Sequence, residues 1–254
     1  MTAILAVKLI LVPALIYLVT WVGTKWGPAV AGWLSAFPIV AGPILAVITF
    51  EQGAQFGASA AKGTLLAVNA ILVFSLVYAW ASAKFAVLGS LLCSLSVYVI
   101  TVFALTLLQL PLAACLTLVI VMLLIAPTLL PKLKSDLAAN RIPNTVFWRM
   151  LAGAVLVTTV TFFAANMGPR LSGLLAMFPV MGTVLVGFSH HYSGRSFAIS
   201  MLRGMMFGYY AFACFCVILA LLLVKYSTVI VFCSALICAL AVQLLAKRLM
   251  PKVG

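Results

Sequence analysis

Long apolar stretches separated by very short polar connectors make up most of this chain. Stretches long enough to cross a bilayer, which takes about 20 residues, lie at roughly 2–23, 27–50, 57–82, 86–108, 111–130, 146–167, 168–190, 196–224 and 227–249. The one extended polar segment is PKLKSDLAANRIPNTVFWR, residues 131–149. The pattern predicts an all-α integral membrane protein with nine transmembrane helices.

The stretches repeat. At an offset of 141 residues, GPAVAGWLSAFP (27–38) aligns with GPRLSGLLAMFP (168–179), and EQGAQFGASAAKG (51–63) with YSGRSFAISMLRG (192–204). The offset pairs Lys8 with Arg149, Lys62 with Arg203 and Lys84 with Lys225. Each copy holds four apolar segments, and one further segment lies between the copies. An odd number of spans before the second copy starts it on the opposite side of the membrane. The expectation is therefore a 4+1+4 inverted-topology repeat, an architecture common among secondary transporters. Its parts are 1–110, the first four-helix repeat; 111–141, the linker helix and cytoplasmic loop; and 142–254, the second, inverted repeat.

The second segment of each copy carries prolines in mid-span, Pro38 and Pro179, and could be either a broken span or a re-entrant hairpin. Basic residues collect on the cytoplasmic side. With nine spans, Lys25, Lys84, Lys132, Lys134, Arg141, Arg149, Arg195, Arg203, Lys247, Arg248 and Lys252 share one side, against Lys8, Lys62, Arg170 and Lys225. With two re-entrant segments the split is nearly even. Nine spans are expected, with the N-terminus outside and the C-terminus cytoplasmic, in what reads as a bacterial inner membrane.

Composition narrows the chemistry. Of 254 residues, 67% are hydrophobic and only 7% charged, whereas a soluble domain carries about 25% charged residues. The net charge of +13 is read as loop cations and not as a nucleic-acid surface. The partners expected are the lipid bilayer, a small anionic substrate or lipid headgroup, and a possible second copy of the chain. The six cysteines fall in apolar stretches and read as buried hydrophobes. The N-terminal run lacks a basic start, is interrupted by Lys8 and reads as a retained helix. The acids are Glu51 and Asp136 alone. No metal-ligand spacing, nucleophile–base pair or phosphate loop is present, so no enzyme, metal or cofactor is expected.

The candidate substrate-binding residues are the matched ones. Phe37-Pro38 and Phe178-Pro179 should break their helices, because proline lacks the N–H that Leu34 and Leu175 need. Such a break is tolerated where it is buried or lines a cavity. Lys62 and Arg203, each with a serine a turn earlier (Ser59, Ser200), would face these breaks and suit a phosphate or carboxylate. Glu51 and His190 are candidates for coupling, Glu51 through a pairing with Lys62 or Lys8. The glycines of the second and third segments predict close packing of those helices within each copy.

The stretch SGLLAMFPVMGTVLVGFSHHYSGRSFAISMLRGMMFG, and less closely AGWLSAFPIVAGPILAVITFEQG, resembles the GlpM-type small membrane proteins. The shared elements are the small-Gly-Leu start, the Phe-Pro step, His190, Gly194 and Phe207-Gly208; the first copy departs with Thr49 in place of His190. Those proteins are about half this length, so the resemblance implies a fused, antiparallel pair of such units. The function expected is a small secondary transporter or flippase exporting an anionic metabolite or lipid headgroup. The alternative is a non-transporting accessory or scaffold protein of envelope biosynthesis.

Overall fold

The computed structural model describes residues 2–108, 110–131, 145–166 and 178–249. Among them the chain is all helical: α1 (Thr2–Trp26), α2 (Pro28–Ser35), α3 (Ala41–Gln52), α4 (Ala54–Ala81), α5 (Val87–Leu107), α6 (Leu112–Leu129), α7 (Val146–Asn166), a π-helical turn (Gly182–Val186) running into α8 (Gly187–Ser193), α9 (Arg195–Leu222) and α10 (Thr228–Leu249). Six of these are long and apolar enough to cross a membrane: α1, α4, α5, α6, α9 and α10. Helix α7 is apolar over Val146–Phe162. This is multi-pass transmembrane character. Hydroxyls inside the helices bond to carbonyls a turn back (Thr49 to Leu45 at 2.7 Å, Ser75 to Ile71 at 2.8 Å, Thr158 to Ala154 at 2.8 Å), which keeps them satisfied where no water reaches.

Helix bounds coincide at the 141-residue offset. α3 maps onto the π turn plus α8, α4 onto α9, and the start of α5 onto that of α10. The connections coincide too. Gly53 (φ 89°, ψ 164°) and Gly194 (φ 86°, ψ 169°) occupy the same glycine-only conformation, so each helix stops and restarts without a polar loop. Both third segments consequently begin earlier than hydropathy indicated, at 54 and 195 rather than 57 and 196.

The hydrogen bonds around the two prolines repeat as well. Ile39 N–H bonds to Phe37 O and Val180 N–H to Phe178 O, each at 2.7 Å; Gly42 N–H bonds to Pro38 O at 2.9 Å and Thr183 N–H to Pro179 O at 2.8 Å. The Leu34 carbonyl does not lose its donor: Phe37 N–H reaches it at 3.2 Å in a tightened last turn. Leu175 lies outside the described residues, as do Arg170, Gly168, Gly173 and most of the 131–149 loop.

Helices α4 and α9 form the centre. They are antiparallel, since Arg195 at the start of α9 bonds to Ser82 just past the end of α4. Each is flanked by its own follower, α5 or α10, and α6 packs against both. Small-residue packing corrects one expectation. Helix α2 packs most closely on α9 of the other half, not only on its own neighbours. A methyl group at Gly32 would strike the Met201 carbonyl, and one at Gly204 the Ala29 carbonyl, so the backbones touch. The outer faces of α5, α6 and α10 present Ile100, Phe103, Leu124 and Ile237, and exposed aromatics such as Trp26, Trp80, Trp148 and Tyr226 lie at helix ends, as in an interfacial belt. Cys233 and Cys238 also lie on the exposed face of α10, so not every cysteine is buried; a thiol there meets lipid without penalty.

Candidate functional site

The structure separates the expected site residues. Lys62 and Arg203 are each the ninth residue of their helix, about 12 Å along its axis from the start. That is about two turns into each helix. Both are half-buried. Their surroundings differ. Ser200 is 1% exposed and its hydroxyl has no partner, and Arg203 Nε is likewise buried without one, whereas Ser59 is exposed.

The two Phe-Pro steps lie on opposite long helices. Ala36, at the end of α2, lies against Gly208 of α9; Gly182, three residues past Pro179, lies against Phe74 of α4. Pro38 and Pro179 are buried, Phe37 and Phe178 half-buried, and Phe178 packs edge-on to Tyr98 with centroids 6.1 Å apart. Glu51 is exposed. His190 Nδ1 shares a 2.9 Å hydrogen bond with the Tyr78 hydroxyl, while Arg195 Nε donates to Ser82 at 3.1 Å and Nη2 to the Ala79 carbonyl at 3.3 Å. These bonds fasten α8 and α9 to the end of α4, so His190 is a tie between helices.

The most buried cations are a different matched pair, Lys8 and Arg149. Lys8 is 8% exposed, and its Nζ reaches the Thr161 hydroxyl at 3.5 Å; this partner replaces the expected Glu51. Arg149 is 1% exposed. Its Nε donates to Thr145 Oγ1 at 3.1 Å and its Nη1 to Ser189 Oγ at 3.4 Å, its Nη2 is buried without a partner, and its guanidinium carbon lies 5.7 Å from the Phe188 ring centroid. The sequence displayed this pair at the common offset, but each member is near a helix end and read as a loop charge.

Helix pairing explains the burial. Lys8 meets Thr161, and Gly153 packs on Ile16, so α1 and α7 run antiparallel. One turn beyond Ile16 and Gly153, the same register sets Thr20 opposite Arg149. Thr20 is buried, and its hydroxyl also lacks a partner. The offset makes Thr20 the equivalent of Thr161, so Arg149–Thr20 is the counterpart of Lys8–Thr161. One end of the pair makes this contact and the other does not. A guanidinium edge and a hydroxyl, both buried and unpartnered, face the same level of the bundle. Together they suit an anion with several oxygens.

Beside this end lies a cleft of about 560 Å³ between α5, α7 and the π turn with α8. Its walls are mainly apolar, with Thr159, Thr183, His191 and Tyr192 as polar members. Neither Lys62 nor Arg203 lines it. Among the described residues no group of three or more His, Cys, Asp or Glu could hold a metal. No family model, curated protein or solved structure matches this chain.

Proposed function

We propose that this chain is a small carrier or flippase for an anionic metabolite or lipid headgroup, built as a nine-span 4+1+4 inverted repeat in a bacterial inner membrane. The observation that carries the reading is the buried pair Lys8 and Arg149. An ionised side chain buried among membrane helices is costly, and such residues mark functional sites. The bonds these cations make are to hydroxyls, which solvate a charge without neutralising it. The only acid among the described residues, Glu51, is exposed. An anion reaching either cation offsets that cost, and the antiparallel pairing puts Lys8 towards one membrane face and Arg149 towards the other. Lys62 and Arg203 lie deeper along their own helices, at the ninth residue of each.

The common helix bounds and the antiparallel α1/α7 and α4/α9 pairs support the inverted repeat and the division at 1–110, 111–141 and 142–254. The same features fit a fused pair of GlpM-type units. An inside-negative potential favours outward movement of an anion by about 2.3 kcal/mol per charge per 100 mV, so export needs no coupling ion. The accessory reading draws on a smaller apolar cleft of about 260 Å³ between α6 and α9, a surface suited to another membrane helix.

Flux of an anionic reporter from proteoliposomes tests the carrier reading. Arg149→Gln and Lys8→Gln should each lower flux sharply while the protein still inserts, since losing a buried charge eases insertion. Parental flux in the double variant would sink the reading and leave the accessory role. Cysteine labelling tests the topology. Residues 131–149 should react from the cytoplasm and the Glu51 region from outside; finding 131–149 outside would remove the orientation, and finding Glu51 on the same side as Lys25 would remove the nine-span arrangement.

A further inference from the structure

The cleft beside Arg149 has a composition that a soluble anion does not require. On α7 it is walled by Ala152, Leu156 and Thr159, successive positions of one helix face that also carries Arg149 one turn earlier. That face extends about 10 Å from Ala152 to Thr159. On the opposite side the walls are Val87 and Leu91 of α5. The cleft lies open along the flank of the bundle, where Val155 is 57% exposed and Thr159 is exposed, so it faces the lipid phase. Its polar end is formed by His191 and Tyr192, both exposed. Phe188 lines the cleft, and its ring centroid lies 5.7 Å from the guanidinium carbon of the buried Arg149.

We propose that this cleft holds an acyl chain of an anionic phospholipid, with the lipid phosphate at the α8 end beside His191 and Tyr192, where the buried Arg149 guanidinium, next to Phe188 of the wall, supplies positive potential. The charge pattern selects the occupant. An apolar slot open to the bilayer takes any acyl chain, but a buried guanidinium edge without a partner favours a headgroup with net negative charge. A zwitterionic headgroup brings its own cation and gains less. The volume is within the range of ordinary ligand pockets. The proposal deepens the carrier reading by naming its substrate class, and rests on it for the role of Arg149.

Native mass spectrometry of the full chain in mild detergent tests it, with dioleoyl phosphatidylglycerol, dioleoyl phosphatidylcholine and glycerol 3-phosphate as probes. Phosphatidylglycerol should be retained about tenfold better than phosphatidylcholine, equivalent to about 1.4 kcal/mol. Arg149→Gln should bring the two lipids level. Val155→Trp narrows the cleft from an exposed position without touching the core, and should lower retention of both lipids about tenfold. Circular dichroism should show the helical content of both variants unchanged. Equal retention of both lipids by the parent would overturn the proposal, as would full retention by Val155→Trp. Glycerol 3-phosphate binding as tightly as phosphatidylglycerol would overturn it in favour of a soluble anion, leaving the carrier reading intact. Selective, Val155→Trp-sensitive retention without any flux in proteoliposomes would uphold the lipid site and remove the carrier.

Discussion

At one end of the α1/α7 pair Lys8 reaches Thr161; at the other, the equivalent residues Arg149 and Thr20 do not bond, and each keeps a buried polar atom without a partner. The two ends have the same backbone arrangement and matched residue types, so the sequence makes them alternatives. A fully symmetric structure would close both or neither. On the carrier reading proposed above, closing one end and leaving the other unpartnered is the expected state of a device committed to one side. The difference teaches that side-chain contacts along this helix pair are asymmetric while the helix bounds at the common offset remain equivalent.

The largest effect should separate this pair from the other. Arg149→Gln should lower anion flux about 100-fold, or about 2.7 kcal/mol of barrier. The Lys62→Gln, Arg203→Gln double variant should cost about tenfold, since those side chains are half-buried with access to water or headgroups. Reversed magnitudes in the same proteoliposome assay would move the site from α1/α7 to α4/α9.

Next comes a control on the backbone. Gly53 and Gly194 share one conformation, so Gly53→Ala and Gly194→Ala should each destabilise by about 1–3 kcal/mol, equally in both halves. Thermal unfolding in detergent that showed only one of them to matter would extend the asymmetry from side chains to the frame.

The smallest effect is the sharpest, because the two ends should differ in sign. Thr161→Ala removes a hydroxyl that Lys8 uses and should cost about 1 kcal/mol. Thr20→Ala removes a buried hydroxyl that bonds nothing and should leave stability unchanged or raise it by about 1 kcal/mol. Equal losses at both would mean that Arg149 and Thr20 do meet in the bilayer, and the contrast between the ends would disappear.

What the sequence made legible was local or periodic. The 141-residue offset anticipated where α4 and α9 would match, and Phe37-Pro38 anticipated the break between α2 and α3, because proline chemistry acts within one turn. The burial of Lys8 and Arg149 was not legible. Each is near a helix end, where a long cation ordinarily reaches water; only the pairing of α1 with a helix 141 residues away covers them. The partnership of α2 with α9 was hidden for the same reason. Glycine spacing announces a close approach and does not name the helix approached.

That partnership has a consequence for how the protein is made. Gly32 and Trp33 wait for Met201 and Gly208, so about 175 residues must be synthesised after α2 before its seat exists, roughly 10–35 s at ordinary elongation rates. During that interval a short helix with a broken end lies in the membrane with its small-residue face unmatched. The first half is thus an unfinished object until the second arrives, and a ribosome stalled before residue 200 would release a fragment for quality-control proteases to find.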